Sequence, residues 1–144
     1  MNDQVTYYVI VPGWRGSEPA HWQSYWARYL PQAVRVEQQD WFRPTRQAWV
    51  DELDRTIAQI PASGRVVLIA HSLGCITVAH WVQQAERHRL AKVVGALLVA
   101  PADVDRPGCP DALRAFAPIP TRALPFPTLL VGSDNDPAAA VERV

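Results

Sequence analysis

The sequence predicts a doubly wound α/β fold: a parallel sheet of about five strands, in the order 2-1-3-4-5, covered by helices on both faces to give three layers. Two observations lead to this fold class. Strand-like and helix-like segments alternate along the chain with short connections, as in right-handed crossover units. Two strands, Arg65 to Ala70 and Val93 to Ala100, are continuously apolar, which is typical of strands covered on both faces. The 144 residues suit one domain, spanning 1–144.

The N-terminal part of the chain is predicted as strand, helix and strand. Thr6 to Val11 is β-branched and aromatic, and the following Pro12-Gly13 pair ends it. From Ala20 to Leu30, large aromatic residues recur at helical spacing, which predicts a first helix with an aromatic inner face. Ala33 to Val36 is then expected to be a short second strand.

Three further strands and two helices are predicted after this point. Thr45 to Ile60 carries apolar residues one turn apart, and Thr45 is expected to cap this second helix. The third strand, Arg65 to Ala70, leads directly into a third helix from Leu73 to about His88. Val93 to Ala100 is the fourth strand, and Pro127 to Val131 supplies a fifth.

Composition excludes several classes of function. The 14 basic and 14 acidic residues cancel, so we expect no nucleic-acid partner. No segment approaches the roughly 20 apolar residues that cross a bilayer, so no membrane association is expected. The polar start, Met1 to Gln4, lacks the pattern of a signal peptide, which makes a cytoplasmic location the default expectation. Cys75 and Cys109 fit no disulfide framework or CxxC motif, and no metal or cofactor is expected.

The segment from Val66 to Gly74 has the layout of a nucleophile elbow. An apolar strand runs directly into Ser72, and the small residues Ala70 and Gly74 give A-x-S-x-G, a relaxation of the G-x-S-x-G pattern. Because a helix begins at Leu73, its dipole and the Leu73 amide would face charge that develops on a substrate oxygen. Ser72 is therefore the candidate nucleophile. A serine that only caps the helix is the alternative.

Two other strands end at candidate site residues. The loop after the first strand places Gly13 where backbone must approach closely, and the Trp14 amide is the candidate for the second oxyanion donor. An ordinary Pro-Gly turn is the alternative. The loop after the fifth strand supplies a carboxylate at the sheet end where such folds place their sites. Asp136 is preferred as the acid because a proline fixes the turn after it, whereas Asp134 is explained equally well as a turn former.

Together these motifs resemble the small α/β-hydrolase family that includes retinoblastoma-binding protein 9 and the bacterial YdeN-type serine hydrolases. The resemblance spans nearly all of the chain and implies a Ser-His-Asp triad with Ser72 and Asp136, acting on a small ester, amide or thioester. It also implies a last helix, strand and Gly-His loop beyond this sequence, so the chain is expected to be C-terminally shortened. Such a form would expose the fifth strand and favour self-association through this sheet edge. The motifs are Val11-Pro12-Gly13 with His21-Trp22, Ala70 to Gly74, Ala100 to Asp103, and Gly132 to Pro137.

None of the four histidines stands where the triad base is expected. His71 adjoins the nucleophile, but neighbouring residues in a tight turn point apart. His80 and His88 lie on or after the third helix, too far along it to return. His21, near the oxyanion loop, is the candidate for a substitute base or a substrate-pocket residue, with a cap or packing role as the alternative. Loss of a triad member lowers turnover by roughly 10⁶, so this chain is expected to be inactive or a weak esterase.

A second hypothesis assigns the chain to another functional class. It would be a catalytically inactive α/β-hydrolase-like module that binds a partner through a surface formed by Trp14, Trp22, Trp26 and Trp41. Aromatic enrichment marks interfaces, although helix faces buried in a core also explain most of these tryptophans.

Overall fold

A computed structural model describes residues 4–144 and confirms the fold class. Residues 1–3, on which the expectation about a signal peptide partly rests, lie outside the described range. Five strands form one sheet in the order β2-β1-β3-β4-β5, and every neighbouring pair is parallel. The strands are β1 (Thr6–Val11), β2 (Ala33–Arg35), β3 (Arg65–His71), β4 (Val93–Val99) and β5 (Thr128–Val131).

The helix boundaries agree with the predictions to within two residues except at the end of the third helix, which is followed by a separate short helix. They are α1 (Trp22–Tyr29), α2 (Arg46–Gln59), α3 (Leu73–Gln84) and α4 (Arg87–Leu90), with short 3₁₀ turns at Asp111–Phe116 and Val141–Arg143. As predicted, the Thr45 hydroxyl caps α2 by accepting a hydrogen bond from the Ala48 amide at 3.3 Å. Continuation of the third helix to about His88 is wrong, because Ala85 is extended and ends α3.

Tertiary contacts explain this early ending of the third helix. After the break, α4 places Arg89 in an ion pair with Asp54 of α2, and Leu90 packs against the main apolar core. Asp54 also accepts a hydrogen bond of 3.0 Å from the Trp81 indole of α3. If α3 continued straight past Ala85, Arg89 and Leu90 would not be expected to make these contacts. The contacts therefore stabilise the end of α3 at this position.

The expectation of an aromatic inner face on α1 is wrong as well. Tyr25, Trp26 and Tyr29 are exposed, and the buried residue of this helix is Gln23. The Gln23 side-chain amide donates to the carbonyl oxygens of Val11 at 3.2 Å and Ile69 at 3.1 Å. These two carbonyl groups replace the hydrogen bonds to water that the amide loses on burial. A polar side chain can therefore be buried in the protein interior at this position.

Buried apolar residues form two clusters that fix the site's surroundings. The larger one joins the sheet to α2 and α3, with Val9 of β1 and Leu68 of β3 fully buried in it. The smaller one contains Leu73 at the start of α3 and Phe116 of the first 3₁₀ turn. The second cluster therefore fastens the start of α3 to the long segment after β4.

The edge of the sheet at β5 is open within the described residues. Leu129 is 65% exposed, and Leu130 and Val131 are also exposed. β5 pairs with β4 and has no second strand neighbour among residues 4–144. Separately, none of the helices in this range is long and apolar enough to span a membrane.

Candidate active site

Ser72 occupies a sharp turn between β3 and α3. Its backbone is left-handed, with φ 54° and ψ −119°, a conformation that costs a non-glycine residue roughly 1–3 kcal/mol. The Ser72 amide donates to the Val99 carbonyl of β4 at 3.0 Å, which holds the turn against the sheet. Its side chain makes no capping hydrogen bond to α3, so the helix-cap alternative gains no support.

Two glycines allow the first loop to pass close to this turn. A Cβ on Gly74 would overlap the Val11 carbonyl oxygen and would lie 2.9 Å from the Pro12 carbonyl oxygen. A Cβ on Gly13 would lie 3.1 Å from the Ser72 Cβ and 3.3 Å from the Leu73 nitrogen. The absence of both side chains therefore brings the backbone after β1 beside Ser72 and leaves space in front of the Leu73 amide.

The loop after β1 is a hydrogen-bonded turn that holds Trp14 at this place. The Gly16 amide donates to the Gly13 carbonyl at 3.0 Å, and the Arg15 amide donates to the Trp41 carbonyl at 3.0 Å. The Trp14 indole donates to the Phe42 carbonyl at 2.9 Å. Within residues 4–144 the backbone amides of Trp14 and Leu73 have no acceptor, so both remain available to a ligand.

Asp136 lies beyond β5 at the same end of the sheet. One of its carboxylate oxygens accepts a hydrogen bond of 2.8 Å from the Ala138 amide. Asp136 is half-buried, whereas Asp134 in the same loop is exposed. The negative charge of Asp136 acts to raise the pKa of His71 against the effect of burial. Pro137 and Ala138, which follow Asp136, line the same cleft as His71, but the Asp136 side chain is not among the described lining residues.

The four histidines lie in three different environments. His21 caps α1, because its Nδ1 accepts a hydrogen bond of 3.1 Å from the Gln23 amide. The His21 and His71 rings pack edge to face, 4.7 Å between centroids. His80 bonds the Phe116 carbonyl through Nε2 at 2.7 Å, and His88 is at the surface beside Glu86.

Burial favours the neutral form of the two histidines that line the cleft. Partial burial lowers the pKa of His21, although the charge of Glu18 opposes the shift. Burial also lowers the pKa of His71, with a further contribution from His21, while Asp136 acts in the opposite direction. Neither ring is hydrogen-bonded to Ser72 or Asp136 within residues 4–144.

A cleft of about 610 Å³ opens above Ser72. The loops that follow β1, β3, β4 and β5 all contribute to it, as expected for a site at the carboxyl end of a parallel sheet. Trp14, His21 and Ser72 line it, together with the backbone that follows Asp136. The described residues contain no group of three or more metal-ligating side chains.

Two residues that line this cleft, Asp103 and Arg106, were not singled out as site residues from the sequence. Asp103 is 7% exposed and forms two hydrogen bonds with Arg143, at 3.0 and 3.2 Å. This pairing lowers the pKa of the Asp103 carboxyl, with burial opposing the shift. The feature of the sequence that could indicate these residues is their position, since both follow β4 at the carboxyl edge of the sheet.

The chain is similar to known proteins both in sequence and in three-dimensional structure. The family model described as serine hydrolase matches residues 8–144. No curated protein sequence matches the chain.

Several solved structures share the architecture. A protein described as a YdeN-like hydrolase, from Pectobacterium atrosepticum, is 33% identical with a TM-score of 0.78, and the alignment covers 96% of this chain and 68% of that one. The ydeN gene product of B. subtilis is 17% identical with a TM-score of 0.67, over 97% of this chain and 77% of the other. A metagenomic carboxyl esterase is 15% identical with a TM-score of 0.61, over 92% and 50%. The last two likenesses concern the fold alone.

Proposed function

Because the chain belongs to the serine hydrolase family, we propose that it hydrolyses a small ester, amide or thioester through an acyl-Ser72 intermediate. The observation that carries this proposal is the backbone at Ser72. Ser72 has a positive φ in the turn between β3 and α3, and the backbone amides of Trp14 and Leu73 beside it have no acceptor among the described residues. This is the arrangement of a nucleophile elbow that performs acyl transfer. The similarity to the P. atrosepticum protein, which is described as a hydrolase, agrees with this class of reaction.

In the proposed reaction, the Ser72 oxygen attacks the carbonyl carbon of the substrate while its proton passes to a base. The carbonyl oxygen becomes negative, and the amides of Trp14 and Leu73 donate to it, aided by the N-terminal dipole of α3. When the intermediate collapses, the bond to the leaving group breaks, and that group takes the proton from the base. Water then attacks the acyl-serine by the same route and releases the acid.

Asp136 is proposed as the acid that orients the base. One of its oxygens accepts a hydrogen bond from the Ala138 amide, and Pro137 and Ala138 line the cleft. A buried or half-buried carboxylate in this role holds an imidazole in one tautomer and stabilises the imidazolium formed during attack.

The base itself is proposed to be a histidine outside residues 4–144. His21 is unsuited to the role because its Nδ1 already accepts a backbone hydrogen bond, so the neutral ring carries its proton on Nε2 and offers no lone pair. His80 is engaged with the Phe116 carbonyl, and His88 is at the surface. These 144 residues by themselves are then expected to retain only weak activity.

The alternative of an inactive module with a tryptophan-rich binding surface is not favoured. Trp14 and Trp41 are half-buried, and Trp14 is tied to Phe42 by a hydrogen bond while the ring of Trp41 packs on Trp49. Trp22 is half-buried as well, and its ring packs against His71. Trp26 alone of the four is exposed, which leaves no continuous tryptophan surface.

A fluorophosphonate probe tests the proposal on the natural full-length protein. Attack forms a bond between the Ser72 oxygen and phosphorus, fluoride leaves, and the serine proton goes to the base. We expect labelling at Ser72, located by peptide mass spectrometry, and its complete loss in Ser72→Ala. Ser63→Ala, at an exposed turn before β3, is the matched control and should label normally.

Asp136→Asn is the second arm of this experiment. The rate of labelling should fall on the order of 10⁴-fold, since a triad acid contributes about that much. Unlabelled wild-type protein, or labelling that persists in Ser72→Ala, would contradict the assignment of the nucleophile.

A further inference from the structure

We propose that Asp103 and Arg106, in the loop after β4, are positioning residues that fix the orientation of the Asp136 carboxylate beside the cleft. This inference rests on the proposed function of Asp136. Both residues bind the backbone directly after the acid: Arg106 donates to the Pro137 carbonyl at 3.0 Å, and the Asp103 amide donates to the Ala138 carbonyl at 3.1 Å.

A single planar peptide unit links the Pro137 carbonyl, which Arg106 binds, to the amide that binds the Asp136 carboxylate. The Pro137 carbonyl and the Ala138 amide belong to the same rigid plane. Arg106 donates to the Pro137 oxygen of this plane. The Ala138 N–H of the same plane donates to the Asp136 carboxylate at 2.8 Å. Fixing the oxygen therefore fixes the direction of the N–H, and with it the orientation of the carboxylate.

Asp103 anchors the other contact of this clamp. Its carboxylate is buried and binds the Arg143 guanidinium through two hydrogen bonds, and it also accepts the Asp105 amide at 3.1 Å. These bonds leave the Asp103 backbone little freedom, so its amide is held in place for the Ala138 carbonyl. The Arg106 guanidinium forms no ion pair with a described acid, and its Nε is buried without a partner. Its bond to Pro137 is thus the contact that holds this side chain.

Arg106→Gln tests the clamp in the natural full-length protein. The glutamine amide is a shorter donor that should not reach the Pro137 carbonyl, so the peptide plane should be released, and kcat should fall about 10- to 100-fold while KM stays within about twofold. Arg106→Lys retains a cationic donor that can reach a carbonyl, and it should restore most of kcat. Arg114→Gln, which removes an exposed arginine paired with Asp111, is the matched control and should leave both parameters unchanged.

Hydrogen exchange gives a readout that does not depend on catalysis. The Ala138 amide is the donor to Asp136, so its exchange should become at least about tenfold faster in Arg106→Gln, measured by NMR in a Ser72→Ala background. The amides of β3 should keep their protection, which separates loosening of the loop from general unfolding.

The possible failures are distinguishable. If wild-type protein is labelled at Ser72 but Arg106→Gln has normal kcat, the clamp is overturned and the proposed function stands. Unchanged exchange at Ala138 in Arg106→Gln overturns the clamp in the same way. Arg106→Lys keeps both the positive charge and a donor, so its failure to recover activity would show that the loss in Arg106→Gln does not come from the donor to Pro137, and it would also overturn the clamp.

Discussion

The cleft has two sides that are held by different forces. The elbow side comprises the turn at residues 70–74 and the loop at 12–16, and it is fixed by close backbone packing around Gly13 and Gly74. The acid side comprises the loops at 100–106 and 132–140, and it is joined by a few polar contacts centred on Asp103 and Arg106. The strands beneath differ likewise, since Leu68 of β3 is fully buried whereas β5 is exposed along its length.

This difference follows from the chemistry that each side is proposed to perform. An oxyanion hole is made of backbone amides, and close backbone approach can be encoded only by the absence of side chains. A carboxylate that orients a base works through its own hydrogen bonds, so polar contacts suffice to direct it. We therefore expect substitutions on the elbow side to affect stability strongly and those on the acid side to affect it weakly.

Two glycine substitutions provide the largest expected contrast. In Gly74→Ala the added methyl group meets backbone carbonyls that have no room to move, so the free energy of unfolding should fall by about 3 kcal/mol. In Gly132→Ala the added group meets the tip of the Val144 side chain, and the change should stay within about 1 kcal/mol.

Urea denaturation of both variants measures this contrast. Circular dichroism at about 222 nm reports the transition, and the midpoint at an unchanged slope reports stability. Equal losses in the two variants would contradict the distinction between the two sides of the cleft.

The exposed strand β5 should produce a smaller effect. Leu129 and Leu130 present apolar side chains on an edge strand, a surface that favours pairing between copies of this chain. Leu130→Lys should weaken self-association at least about tenfold, equivalent to about 1.4 kcal/mol, because a charge must be desolvated when the edges pair. Sedimentation velocity over a concentration series measures it, with Val94→Lys on the partly exposed β4 as control. A monomer at all concentrations in the unsubstituted chain would exclude this prediction.

The smallest expected effect is the pH dependence of the acid side. The Arg143 guanidinium lowers the pKa of Asp103 in the folded protein below the value of about 3.9 in an unfolded chain. The stability that this pair contributes is therefore fully present above the unfolded pKa, and it is lost as pH falls through the lowered folded pKa. Because Arg143 is half exposed, solvent screens this pair and its contribution to stability should be small.

The difference in unfolding free energy between wild type and Asp103→Asn should accordingly stay constant from about pH 7 to about pH 5, and shrink as the pH falls below about 4. Thermal denaturation at matched ionic strength measures it. A difference that grows with acidification would mean that the ion pair with Arg143 does not stabilise the folded chain.

Much of the fold could be predicted because apolar runs and their Pro or Gly boundaries are local signals. The strand limits agree within one residue for this reason, as at Thr6–Val11, which ends before Pro12-Gly13. The end of α3 could not be predicted, because it depends on the contact between Arg89 and Asp54 across two helices. Periodicity wrongly predicts a buried aromatic face on α1, because it shows which residues share a face but not that Gln23 has hydrogen-bond partners inside the protein.

The candidate site divides in the same way. Ser72 and the glycines around it follow a pattern of adjacent residues, which a single sequence displays. Arg106 and Pro137 are separated by 31 positions, and nothing in their local sequences indicates that one binds the other. Contacts of this kind become visible only when the loops after β4 and β5 are placed side by side.

The buried Gln23 has a consequence for how the cleft can move. Its amide bridges the carbonyls of Val11 in β1 and Ile69 in β3, and the Ser17 hydroxyl donates to its side-chain oxygen at 2.9 Å. Separating these strands would break both bridging bonds at once, in a place that water does not reach. The β1 and β3 side of the cleft is therefore expected to be rigid. Widening of the cleft for a bulkier substrate would then come from movement of the loops after β4 and β5.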